Sequence, residues 1–242
     1  MAPRFSCPAC LAADRKRLRQ AQADSERAAR ERALAAVRAD LPGALARCGV
    51  PEHWQAATLD NCPDLPAKLV EAARKWAAAP EGMVYLFGPP GAGKSWLAVA
   101  MLRAVLESGR LSPADCLYVG ERSYLDRLRA TFNGAHVSPR LLPANHPCRV
   151  ALLLFDDLGA SRLTDWGKGE IAGLIEGRHA DGLPTICTSN LDPAQLAQAV
   201  DARVASRIAE SGRMYVFPSR DFRIVGVLSK RARPGARIQN GE

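Results

Sequence analysis

The rhythm of apolar and polar positions along the 242-residue chain changes near residue 80. Before it, residues 14–40 are rich in Ala, Arg, Glu and Gln, with Leu34, Val37 and Leu41 three and four apart near the end. That spacing predicts a long, mostly solvated helix. Without a sustained heptad seam it buries too little to fold alone, so it is expected to lie against the main domain or to meet a partner protein. Pro42-Gly43 is expected to end it, and residues 48–66, with Pro51, Pro63, Pro66 and an exposed-looking His53-Trp54, read as a linker. A helix over 67–79 follows.

Beyond Pro80-Glu81-Gly82 short apolar runs at 83–87, 116–119, 150–155, 184–188 and 214–217 alternate with helical stretches. This alternation predicts an α/β fold, a parallel sheet covered by helices on both faces. There is no internal repeat. Hydrophobic residues make up 48% and charged residues 24%, which suits a globular chain of one α/β domain plus a small appendage. The net charge of +8 favours a polyanionic partner such as nucleic acid, although solubility alone would also account for it. No run of about 18 apolar residues and no apolar signal core are present, so the expectation is a cytoplasmic protein with no membrane partner. Seven cysteines, odd in number and scattered, suit a reducing compartment.

The most informative segment is Gly88-Pro89-Pro90-Gly91-Ala92-Gly93-Lys94-Ser95, which matches G-x-x-x-x-G-K-[ST] between an apolar strand and the amphipathic run starting at Trp96. Glycines let several N–H groups face a phosphate, and the positive end of the next helix adds its field. Lys94 would reach the β- and γ-phosphates and Ser95 would ligate Mg²⁺. These eight residues and Trp96 form the expected contact set for ATP. The strand at 150–155 ends in Asp156-Asp157, at the sheet edge where ligands of such folds bind. Asp156 is expected to hold Mg²⁺ and Asp157 to orient or deprotonate the attacking water, with a helix cap as the other explanation. Many P-loop ATPases place Glu at the second position; Asp157 has a shorter reach.

The strand at 184–188 leads to Asn190, which could sense the γ-phosphate and lytic water or simply form a turn before Leu191-Asp192-Pro193. Arg203 and Arg207 lie four apart on one helical face. Such an arginine can stabilise transition-state charge at a neighbouring subunit's phosphate, or be an ordinary surface cation.

Together these elements resemble the AAA+ ATPases, and more narrowly the DnaC/DnaI-type helicase loaders, their phage-borne relatives and the IstB transposition helpers. The resemblance covers roughly residues 48–228. It rests on Cys48-Gly49-Val50-Pro51 with Ala57-Thr58-Leu59, on Leu154 to Gly159 as the Walker B signature, on Pro184 to Leu191 as the sensor 1 strand, and on Arg203 to Ile208 as box VII. The resemblance implies that Arg207 is the arginine finger and Arg203 an assembly contact. It implies that Arg223, in Arg220-Asp221-Phe222-Arg223, approaches the nucleotide as a sensor 2 substitute, with Phe222 where the family usually has Tyr. Too few residues follow for the helical lid of many AAA+ proteins, so a lidless domain is expected. The resulting division is a helical, partner-binding region at 1–47, an AAA+ domain at 48–230 and a basic tail at 231–242.

The family's DNA contacts lie on a helical insertion and on loops facing the channel of an assembled ring or spiral. The matching stretch here is 121–133, where Arg122, Tyr124, Arg127, Arg129 and Phe132 interleave cations with aromatics; a covering helix with solvated arginines reads equally well. The loop at 134–147 has the length and proline content of a functional segment. Cys7-Pro8-Ala9-Cys10 supplies half of a zinc site, and neither Cys48 nor Cys62 has the spacing to complete it, so two cysteines without a metal is the default and zinc the alternative.

The resemblance implies an ATP-dependent loader that assembles on single-stranded DNA and delivers a replicative, DnaB-like helicase in a bacterial or phage-infected cell. The alternatives are an IstB-like helper acting with a transposase on duplex DNA, and a scaffold that binds nucleotide without hydrolysing it.

Overall fold

The structure, a computed structural model, describes residues 8–62, 65–131, 146–210 and 212–218, with the side chains of 8–14, 30 and 131 left aside. Cys7, Phe132, Asn133, Arg223, the C-terminal tail and nearly all of the 134–147 loop therefore lie outside the described residues, as does the lidless expectation.

Five parallel strands form one sheet: β1 (Met83–Phe87), β2 (Cys116–Gly120), β3 (Leu152–Asp156), β4 (Thr185–Ser189) and β5 (Met214–Val216), in the order β2-β3-β4-β1-β5. The helices are α1 (Pro8–Ala39), α2 (Leu41–Arg47), α3 (Ala67–Ala78), α4 (Lys94–Glu107), α5 (Glu121–Thr131), α6 (Asp165–Ala180), α7 (Pro193–Ala199) and α8 (Ala202–Glu210). β3 and β4 are buried throughout; β3 runs apolar up to Asp156, while β4 buries the hydroxyls of Thr185, Thr188 and Ser189 on hydrogen-bond partners.

Successive strand residues feed two separate cores. Val84, Leu86, Leu152, Leu154 and Ile186 pack with α2, α3 and α4, whereas Met83, Tyr85, Leu153, Phe155 and Cys187 pack with α5, α6, α7 and α8. Each fully buried Leu, Ile, Val or Phe contributes about 1.5–3 kcal/mol, so both helical layers are needed to offset the ordering of the chain. Among the described side chains of α1, Val37 joins the first core, while those from Arg15 to Ala29 are exposed.

Two expectations about the N-terminal third are corrected. Pro42 and Gly43 do not end the long helix; they lie inside α2. Asp40 interrupts the helix, accepts the Gly43 N–H at 2.9 Å, and leaves Pro42 in the first turn, where a missing N–H costs nothing. Residues 48–62 are not a loose linker: Cys48, Val50, Ala57 and Leu59 are buried, and the Cys48 carbonyl accepts Tyr118 N–H at 2.7 Å. The apolar residues between the prolines supply that packing. Trp54 is half-buried and lies edge-on to Trp96 at 6.2 Å.

At the N-terminal edge of the strands, Arg178 is wholly buried. Its guanidinium donates to Thr185 Oγ1 and to the carbonyls of Pro147, Val150 and Pro184 at 2.7–2.8 Å, tying the starts of β3 and β4 to α6.

Candidate nucleotide site

The site gathers at the opposite edge, where β1, β3 and β4 end. After Phe87 the chain turns through Gly88 at φ 147° and reaches Gly93, the N-cap of α4, at φ 91°. A side chain at Gly88 would also meet the backbone of Phe217 at 2.9 Å, so only glycine fits. The turn delivers Lys94 and Ser95 into the first turn of α4, whose N–H groups and dipole favour an anion.

Lys94 is 5% exposed, and its ammonium donates to Gly88 O, Pro89 O and Asn190 Oδ1 at 2.9, 2.8 and 2.8 Å. The loop after β4 and the phosphate loop after β1 are thereby joined through one cation. Ser95 Oγ donates to Asp156 Oδ1 at 2.9 Å, joining α4 to the end of β3. Lys94, Ser95, Asp156 and Asn190, picked out separately in the sequence, thus form two direct bridges.

Asp156 is buried and accepts two more hydroxyls: Thr188 from β4 on Oδ1 and Tyr118 from β2 on Oδ2, both at 2.6 Å. Burial and the neighbouring Asp156 raise the Tyr118 pKa, so its phenol stays protonated and donates. A serine hydroxyl beside a carboxylate is the donor set Mg²⁺ takes together with waters, so these residues fit that ion. Asp157 sits next in sequence at φ 59°, exposed, with its N–H on Thr188 Oγ1 at 2.9 Å. Of the non-glycine residues described, it alone has a positive φ, so the chain turns sharply where the second acid is presented.

Glu121, at the start of the stretch expected to contact DNA, has a structural role. It is 1% exposed and accepts the N–H groups of Gly159 and Ser161, pinning α5 to the loop after Asp157. Burial raises its carboxyl pKa, against the lowering effect of those donors. Sequence reasoning gave Tyr118, Thr188 and Glu121 no role because none belongs to the phosphate motif and their partners come from neighbouring strands and loops.

Trp96 is half-buried and donates its indole N–H to Asn61 Oδ1 at 3.2 Å. On α8 Arg203 is exposed and Arg207 half-buried, flanking buried Val204 and Ile208. Arg203 pairs with Asp201 at 3.1 Å and Glu176 at 3.6 Å, and Arg207 with Glu210 at 2.8 Å.

The proposed DNA-facing set is corrected at Tyr124. It is 4% exposed, with its ring edge-on to Phe155 at 5.7 Å, and offers no surface to a base. Its position on α5 places it with Leu125 toward the sheet. Arg122, Arg127 and Arg129 are exposed; Arg129 pairs with Asp126 at 2.9 Å and lies 5.2 Å over Trp166. Cys10 lies in α1, and Cys48 and Cys62 hydrogen-bond the Pro113 and Thr58 carbonyls. Among the described residues no group of three or more His, Cys, Asp or Glu could hold a metal, and no helix is long and apolar enough to cross a membrane.

Comparisons with known proteins point to the same fold. The replicative helicase loader DnaI of Bacillus subtilis (strain 168) is 28% identical over 114 residues, 47% of this chain and 34% of that protein, so the match spans about a third of the relative's length. Among solved structures, the DnaC helicase loader matches with a TM-score of 0.61 at 23% identity, over 69% of this chain and 100% of that one. A structure of the replication initiator DnaA bound to AMPPCP and single-stranded DNA matches with a TM-score of 0.55 at 18% identity, over 72% of this chain and 53% of that one. The family model described as IstB-like ATP binding protein matches residues 26–210. With the phosphate loop, the paired acids and the parallel sheet of an AAA+-like fold in place, the chain belongs to the family of IstB-like ATP binding proteins.

Proposed function

We propose that the chain is a Mg²⁺-dependent ATPase that loads a replicative helicase onto single-stranded DNA. The observation that carries the chemistry is the pair of bridges, Lys94 to Asn190 and Ser95 to Asp156, at one edge of the sheet. Bound at Ser95 and Asp156, Mg²⁺ supplies charge neutralisation on the phosphates. Lys94 exchanges the Asn190 oxygen and loop carbonyls for β- and γ-phosphate oxygens. Asn190 is then free to orient water, and Asp157 accepts that water's proton. Arg207, on α8, serves the nucleotide of a neighbouring copy in a ring or spiral. The similarity to DnaI and the positive charge support a loader working on DNA.

The test is hydrolysis by the purified chain with and without single-stranded DNA, together with capture of the host's replicative helicase with and without ATP. DNA-stimulated phosphate release and an ATP-sensitive helicase complex are expected, both lost in Lys94→Ala. Asp157→Ala is expected to keep nucleotide binding and lose hydrolysis; a wild-type chain that binds ATP without turnover favours the scaffold. The IstB-like family match favours a second reading, a transposition helper on duplex DNA. Preference for duplex DNA and for a transposase over the helicase would establish it.

A further inference from the structure

Asp156 is held from three elements at once, and the three holds differ in what they can do. Ser95 Oγ comes from α4 and is itself a ligand for Mg²⁺, so it must turn from the carboxylate to the ion. Tyr118 and Thr188 come from the strands on either side of β3. Gly120 pairs with Asp156 in the β2 register, placing Tyr118 two residues back along that strand. Phe155 pairs with Cys187, placing Thr188 level with Asp156. Their hydroxyls take different oxygens, Oδ2 and Oδ1, each at 2.6 Å.

A carboxylate held through one oxygen can still swing, because its terminal torsion is broad and two-fold. Held through both, from two strands that cannot move independently, its plane is fixed. Mg²⁺ tolerates little departure from octahedral geometry, so the angle of each ligand matters as well as its presence. We infer that Tyr118 and Thr188 are positioning residues which set the plane of the Asp156 carboxylate for a divalent cation. Thr188 also reaches the second acid, because its oxygen accepts the Asp157 N–H at 2.9 Å, so one hydroxyl locks both acids in register. Partners of this kind typically cost roughly 10–100-fold in metal affinity when removed, which sets the size of the effect expected from a lost orientation.

The inference rests on the Mg²⁺-nucleotide reading above, and a metal titration separates the two. Free Mn²⁺ is followed by electron paramagnetic resonance while the chain is titrated at saturating ADP. Tyr118→Phe and Thr188→Val are expected to raise the half-saturating Mn²⁺ concentration on the order of 10-fold. Thr188→Ser, which keeps the hydroxyl, should titrate like wild type, and ADP affinity in EDTA should be unchanged in all three. Wild-type titration curves for Tyr118→Phe and Thr188→Val overturn the inference. If Thr188→Val does not fold, Tyr118→Phe decides alone, since it keeps the ring that packs against the apolar cluster. A wild-type chain that binds no ADP, with or without metal, overturns the nucleotide reading and this inference with it.

Discussion

A guanidinium with no access to water is an expensive thing to build into a core, and Arg178 is tolerated because four acceptors surround it. Burial lowers its pKa to about 10, which still leaves it charged at neutral pH. Arg178→Met nearly keeps the volume but strips donors from three carbonyls, that of Val150 buried. It should lower stability by roughly 3–5 kcal/mol in urea unfolding, while ADP affinity of the folded protein, bound at the other end of the strands, changes little. An unchanged midpoint would show that the carbonyls find other donors. The residue was legible in principle: Ile171, Leu174, Ile175 and Arg178 follow the i, i+3, i+4, i+7 rule, which puts the arginine on an apolar stripe. Lys94 and Ser95 were picked out by motif spacing, and Asp156 and Asn190 by their places at strand ends; the structure brings the four together. Tyr118 and Thr188 were not picked out, because their meaning depends on which strands lie beside β3, and strand order is not written in local sequence.

The same division holds for whole elements. Short apolar or β-branched runs between turn signals mark the strands of parallel sheets, so β1 to β5 were found to within two residues. The 48–62 segment was misread because prolines mark a turn whether or not the apolar residues between them are buried. In α5 the interleaved cations and aromatics concealed a two-sided helix, with Tyr124 and Leu125 inward and the arginines outward. Its first residue, Glu121, gives a pH-dependent prediction. Burial raises the folded-state pKa above 4.5, so the stability this group contributes is present below 4.5 and lost as pH rises through the folded value. Glu121→Gln removes that titration. The stability of wild type relative to the variant, from urea unfolding at a series of pH values, should therefore fall as pH rises above 4.5. A difference that grows with pH would mean that the Gly159 and Ser161 amides outweigh burial.

For the whole molecule, the proposed role of Arg207 at a neighbouring copy's nucleotide predicts that hydrolysis depends on assembly. The Arg207 side chain is 43% exposed and salt-bridged to Glu210. Arg207→Ala should leave ADP affinity near wild type but reduce turnover on the order of 10³-fold. Wild-type turnover per subunit should climb with protein concentration, and that of the variant should stay flat. Equal, concentration-independent rates would return Arg207 to the status of a surface cation.

The end of α1 has a mechanical consequence. Arg38 donates twice to the Glu107 carbonyl, at 3.1 and 2.9 Å, and Glu107 is the last residue of the helix whose first residue is Lys94. That helix is a strut about 20 Å long. A load applied to the solvated arm is passed at Arg38 to one end of the strut, and the triphosphate cradle sits at the other. In the proposed reading, a partner that grasps the arm pulls on the helix that opens at the nucleotide.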